Sequence, residues 1–292
     1  MDNSKRFGTV CILTVLAFFA FSNISTSENV SLLDKLLGSF NRDYQPAEPL
    51  IPENLEIVQE FKDGAGPVVG NVQMVMGRVI AIHEGQSVGY ELKKGHPLYN
   101  GDILVSGDQS RLNVKMADKS SFALAANTKL VIERSLYSEK KMKRDSVISL
   151  LFGRARFIVT KIAENSRYQV KADTSVCAVR GSDFVVSVTP AEFDLAGLPV
   201  KGRLAAFFHP REAYAAGPGT LLTTLVTGTG TTVAFSGAKG ATRVVGPSSV
   251  SAAHTGSSAI PGLFAGAQAT GQVLNNVGPM MGSFSMPPHA VE

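Results

Sequence analysis

The sequence predicts an all-β fold, on three observations. Apolar residues recur with a period of two from about Asn71 onward, turn residues punctuate them at short intervals, and no helical crossover separates the runs. Composition points the same way. Hydrophobic residues make up 44% of the 292, near the globular norm, which excludes wholesale disorder and allows a sizeable core. Charged residues are only 18%, glycine is plentiful and tryptophan is absent, a profile that suits short strands and tight turns better than charge-laced helices. The net charge of +4 is too small to argue for a nucleic-acid partner.

In chain order, Lys5 and Arg6 precede an apolar run over 7–21, and the small residues Ala20 and Ser22 fit a signal-peptidase pocket. Residues 1–22 read as a signal peptide cut between Ser22 and Asn23, with an uncleaved single-pass anchor as the alternative, since the run is short for a membrane span. Cys11 lies too early in the run to be a lipid-attachment cysteine. Removal of the leader leaves Cys177 without a disulfide partner, and its neighbours Val176, Ala178 and Val179 mark it as a small buried apolar residue. Residues 23–70 form a short helix and a tether. Val30, Leu33, Leu36, Leu37 and Phe40 share a helical face behind the N-cap Ser27, and Pro46, Pro49 and Pro52 enforce extension.

Residues 71–190 carry the β-domain. Leu112, Val114 and Met116 alternate with polar residues, as do Ala155, Phe157 and Val159, then Tyr168, Val170 and Ala172, then Phe184, Val186 and Val188. Asn100-Gly101-Asp102, Ser106-Gly107-Asp108, Ala117-Asp118-Lys119 and Ala126-Asn127 mark the turns. Arg154 and Arg156 interleave with the apolar set and read as the wet face of a strand. Residues 191–219, with three X-Pro steps, read as an insertion loop; strands of the same domain resume over 220–258. The Gly/Ala/Pro-rich segment 259–292 reads as a weakly ordered tail.

Catalytic chemistry finds no foothold. The histidines at 83, 96, 209, 254 and 289 are not spaced as metal ligands, and there is no His-Glu-x-x-His, no cysteine pair and no Gly-x-Ser-x-Gly elbow. Gly228-Thr229-Gly230 lacks the third glycine of a dinucleotide loop, because Val233 stands there, and reads as a hairpin turn. Asp102, Asp108 and Asp118 sit in turn signals, where a carboxylate caps backbone amides. No catalytic, cofactor-binding or metal-binding residue is assigned. The basic cluster Lys140, Lys141, Lys143 and Arg144 reads as an exposed connection between strands, open to an acidic partner.

One ordered set of motifs is more specific. Gly77-Arg78-Val79, Gly101-Asp102-Ile103-Leu104, Asp118-Lys119-Ser120-Ser121-Phe122, Ala126-Asn127-Thr128-Lys129-Leu130 and Leu151-Phe152-Gly153-Arg154-Ala155 follow one another. Val179-Arg180-Gly181-Ser182-Asp183-Phe184 closes the set. In order and spacing it resembles a FecR-type domain, the periplasmic module first named for a ferric-citrate sensor-regulator, over 71–190 and more weakly over 220–258. Lys119 replaces the family's usual turn glycine, Ser182 its threonine, and Ala172-Asp173 its Thr-Pro.

The resemblance implies a two-layered β-solenoid or sandwich-like domain. Its motif residues Gly101, Asp102, Asp118, Asn127, Gly153, Arg180, Gly181 and Phe184 are then structural or partner-facing. Gly181 is expected to supply a turn with φ > 0 or a close backbone approach. Arg180 is expected to be held by carbonyls or a turn carboxylate, or else to face a partner. Regulator members carry a helical anti-sigma segment before their membrane span, whereas only six residues precede the apolar run here. The expected function is therefore that of an exported, periplasmic or secreted, non-enzymatic module binding an envelope protein or glycan. The alternative is a membrane-anchored accessory in cell-surface signalling or transport regulation, without its own anti-sigma segment. Neither reading involves a cofactor or nucleic acid.

Overall fold

The computed structural model describes residues 49–161, 166–173, 175–190, 221–237 and 242–254, with isolated residues outside these spans. The expected cleavage site at Ser22 and Asn23, nearly all of the expected helix over 28–40, and the insertion over 191–219 lie outside the described residues.

The fold is all-β, as the period of two predicts. Its first strands are β1 (Glu56–Val58), β2 (Gly70–Met76), β3 (Val79–Ile82), β4 (Val88–Glu91), β5 (Pro97–Leu98) and β6 (Ile103–Ser106). Next come β7 (Arg111–Met116), β8 (Ser121–Leu124), β9 (Thr128–Ser138), β10 (Lys143–Val159), β11 (Arg167–Ala172) and β12 (Ser175–Val179). The last are β13 (Ser182–Pro190), β14 (Leu221–Thr227), β15 (Val233–Ser236), β16 (Arg243–Val245), β17 (Ser249–His254) and β18 (Leu263–Phe264). β18 pairs with β17 and ties the start of the tail to the domain.

These strands make one open sheet that folds over into two layers. One layer runs β1-β4-β3-β6-β9-β10-β11-β12-β15-β16. The other runs β5-β2-β7-β8-β10-β13-β14-β17-β18. β10 belongs to both: residues 143–152 pair with β9, and residues 153–159 pair with β13. It changes layers at Gly153, whose φ is +89°, just after register shifts at Val147/Ser149 and Leu150/Phe152. Bulges and a left-handed glycine are the usual means of bending a strand this sharply.

The solenoid expectation is corrected. A solenoid stacks successive coils in parallel, but only β1–β4 and β10–β11 are parallel among the described pairings. The turn signals decide this physically, since a connection of a few residues reverses the chain and leaves its strands antiparallel. At the β7–β8 turn Lys119 adopts φ 67°, so it occupies a left-handed position normally given to glycine.

The facing layers enclose one core. Leu104, Leu130, Ile148, Leu150, Val170, Cys177 and Phe235 meet Leu112, Phe122, Phe157, Phe184, Val186 and Leu225 from the opposite layer. Phe157 stacks on Phe184 with ring centroids 5.4 Å apart. The second layer is also covered on its other face. Val185, Val226 and Val250 lie opposite one another across β13, β14 and β17, outside that core, and all three are fully buried.

A candidate partner-binding groove

The long β9–β10 hairpin ends in a turn closed by the Met142 amide donating to the Glu139 carbonyl. Its register sets Leu136 opposite Asp145 and Ser138 opposite Lys143, placing these four on one face. That face looks across at Pro67, Val68 and Val69, which lead into β2, and at Ala117. Between them lies an open cavity of about 410 Å³. Its apolar surface is unusually wet, with Leu136 51% and Val68 45% exposed. Lys141 and Lys143 stand at its rim. Asp145 is engaged by Arg134 at 3.0 Å, so its charge does not cancel theirs, and no ion pair holds Lys140, Lys141 or Lys143 among the described residues.

The segment that leads into the opposite wall is tied down by a buried polar clasp. Asp102 accepts the Tyr99 amide at 2.8 Å, and its other oxygen lies 2.7 Å from His83 Nδ1. His83 Nε2 sits 2.9 Å from the Lys62 carbonyl. A carbonyl only accepts, so Nε2 carries a proton and donates. Burial pushes the Asp102 carboxyl up, and the bonds from His83 and Tyr99 oppose that. Phe61 stacks on His96 at 4.2 Å, completing the attachment of residues 61–64 just ahead of the groove wall. With Nε2 engaged by a backbone carbonyl, the His–Asp pair activates no nucleophile.

Lys140, Lys141 and Lys143 are exposed, as expected. Arg144 is not. It is 1% exposed, and its Nη1 donates to Asp118 Oδ2 at 2.9 Å, Ser120 Oγ at 3.1 Å and the Thr160 carbonyl at 3.1 Å. Its guanidinium lies 5.0 Å from the Tyr168 ring centroid. The reason is strand parity: β10 begins at Lys143, so alternation turns Arg144 to the inner face with Ser146, Ile148 and Leu150. Burial, aided by Asp118, pushes the Tyr168 hydroxyl up and keeps it neutral.

The motif residues are distributed along the fold as turn, bend and core elements. Asp118 accepts the Ser120 amide and hydroxyl, each at 3.0 Å, as a turn carboxylate should. Gly101 and Asn127 take positive φ, and Phe184 lies in the core. Gly181 does not have the expected positive φ. It is there for a close approach, because a Cβ would fall 2.8 Å from Lys161 Cβ and 2.9 Å from Lys161 Cα. Arg180 is exposed, with no partner holding it among the described residues. Arg154 and Arg156, expected on a wet face, are covered or paired; Arg156 grips Asp183 through bonds of 2.9 and 2.7 Å. Burial pushes the Cys177 thiol up, which makes it unreactive. Among the described residues no cluster of three or more His, Cys, Asp or Glu is placed to hold a metal. No helix there is long and apolar enough to cross a membrane.

The family model described as FecR protein matches residues 102–196, from the Asp102 turn past the end of β13. The chain carries a FecR domain. The match includes Asp102, Asp118, Asn127, Gly153, Arg180, Gly181 and Phe184, and leaves out Gly101 and the Gly77-Arg78-Val79 motif. No curated protein matches the chain. Two crystal structures of a candidate anti-sigma factor from Parabacteroides distasonis ATCC 8503, at 2.50 and 1.65 Å, are similar to it at 16% identity and a TM-score of 0.37. The similarity covers 57% of this chain and 61% of those, so the chain spans about three-fifths of their length.

Proposed function

We propose that this FecR-domain protein is a non-enzymatic binding module of the cell envelope, exported by its N-terminal segment, and that the β9–β10 groove is its contact surface. The observation that carries this reading is the coincidence of exposed Leu136 and Val68 with the unpaired Lys141 and Lys143 around one cavity. Scattered exposed apolar residues are ordinary, whereas apolar residues gathered in a cationic-rimmed concavity indicate an interaction site. A protein segment suits this floor better than a glycan, whose hydroxyls would lose hydration against Val68 and Leu136 without gaining partners. The engagement of His83 Nε2 by a carbonyl supports a role without catalysis. The FecR domain supports a second reading on the same surface, an anchored accessory in cell-surface signalling.

Site-specific photocrosslinking in the native cell tests the reading. A photoreactive residue at Leu136 or at Val68 should capture the same envelope protein. Val244, 73% exposed on β16 and outside the groove, is the control and should not capture it. Indistinguishable products from all three positions, or none from the two groove positions, would overturn the assignment.

A further inference from the structure

We infer that the groove accepts an extended, acidic protein segment as an added strand along the free edge of β9, an inference that rests on the groove being the contact surface. The open edge is the first observation. β6 pairs with β9 only from Thr128 to Val131. Beyond it, Ile132 exchanges backbone bonds with Gly101 and Asp102, and the Ser135 amide donates to Asn100 Oδ1 at 2.6 Å. From Leu136 to Ser138 the strand pairs with β10 alone among the described residues. Ser135 and Tyr137 turn their main-chain groups away from β10, and the Ser135 amide is taken by Asn100, so the free edge offers the Tyr137 amide and carbonyl into the groove, which these same residues line.

The facing wall offers fewer such groups. Pro67 has no amide hydrogen, the Val69 amide donates to the Leu98 carbonyl, and the Val69 carbonyl accepts from Ala117. The facing wall is thus tied to its own strand neighbours at Val69, whereas the β9 edge beyond Ser135 has no strand partner on its groove side among the described residues. This separates a polypeptide from a lipid or a glycan, because strand addition draws its affinity from repeated main-chain bonds and its selectivity from alternate side chains.

Charge decides which polypeptide. On the groove face the incoming strand meets Leu136 and Lys143, with Lys140 and Lys141 at the turn. Asp145 is already held by Arg134. A segment alternating apolar and acidic residues matches this pattern. A second copy of the same edge does not, since it would set lysine against lysine.

The test uses the full chain and a short fluorescein-labelled peptide of alternating valine and aspartate, read by fluorescence anisotropy. Saturable binding is expected, weakened at least about tenfold by Lys141→Glu with Lys143→Glu. A similar loss is expected when alternate peptide amides along one edge are N-methylated, which removes main-chain donors and leaves side chains unchanged. The counterpart with lysine in place of aspartate should not bind. Equal binding by the N-methylated peptide would overturn strand addition, and equal binding by the lysine peptide would overturn the acidic preference. A concentration-dependent dimer abolished by Leu136→Asp would assign the edge to a second copy and likewise overturn the inference. If any of these three results coincided with specific capture at Leu136 and Val68, the groove would remain the contact surface and only its occupant would be wrong.

Discussion

Arg144→Ala should destabilise the fold by about 3–5 kcal/mol, because it leaves the Asp118 carboxylate buried without its counter-charge. The Asp118 side chain is 0% exposed and Arg144 is its ion-pair partner at 2.9 Å. The same substitution removes a donor from the Ser120 hydroxyl and the Thr160 carbonyl and leaves a cavity against Tyr168. Urea unfolding followed by circular dichroism measures the effect. A companion variant with Arg144→Met and Asp118→Leu removes both charges and should recover a large part of the loss, since buried pairs are replaced by apolar residues at little cost. A loss below about 1 kcal/mol for the single variant would mean that Arg144 is a surface residue after all.

Gly153→Val should cost more than about 3 kcal/mol, combining a β-branched residue in the left-handed region with overpacking. At Gly153 a Cβ would fall 2.5 Å from the Asn127 carbonyl oxygen and 2.6 Å from Thr128 Cα, both in the backbone of the adjoining strand's start. Relief would break the contacts of Thr128 Oγ1 with the Arg154 amide and carbonyl, at 3.0 and 3.2 Å, where β10 passes between layers. Gly85→Val is the control. Gly85 has φ +73° but nothing within 4 Å of a Cβ, so its loss should be confined to backbone strain. Equal losses at the two sites in denaturant unfolding would show that the close approach at Gly153 contributes nothing.

Much of this fold was legible because a half-buried strand writes its burial directly into alternate residues. Leu112, Val114 and Met116 all reach the core, and Asp118 caps its turn as its spacing predicts. Arg144 was not legible, since three exposed lysines precede it and only the strand boundary, one residue earlier, distinguishes it from them. The alternation within β10 is blurred as well, because two register shifts interrupt its 17 residues before the bend at Gly153. The His83–Asp102 clasp joins residues 19 apart, and the groove sets Leu136 against Val68; neither spacing follows a local period. Antiparallel pairing, by contrast, was available from the turn residues, and the family resemblance obscured it. Gly181 carries a related lesson. Its motif predicts a glycine requirement, but only the proximity of Lys161 reveals that the cause is space and not φ.

A salt-dependent pull-down from envelope extract tests whether the β9–β10 groove meets a partner through its cationic rim. It compares the wild-type chain with one bearing Lys140→Glu, Lys141→Glu and Lys143→Glu, leaving Arg144 in place. The three lysines are exposed, so the thermal melts of the two proteins should overlay. Capture by the variant should be weaker, and its dependence on salt shallower, because an attractive screened interaction has been removed. Identical captured proteins with identical salt profiles would show that the cationic rim makes no contact and move the contact surface away from this groove.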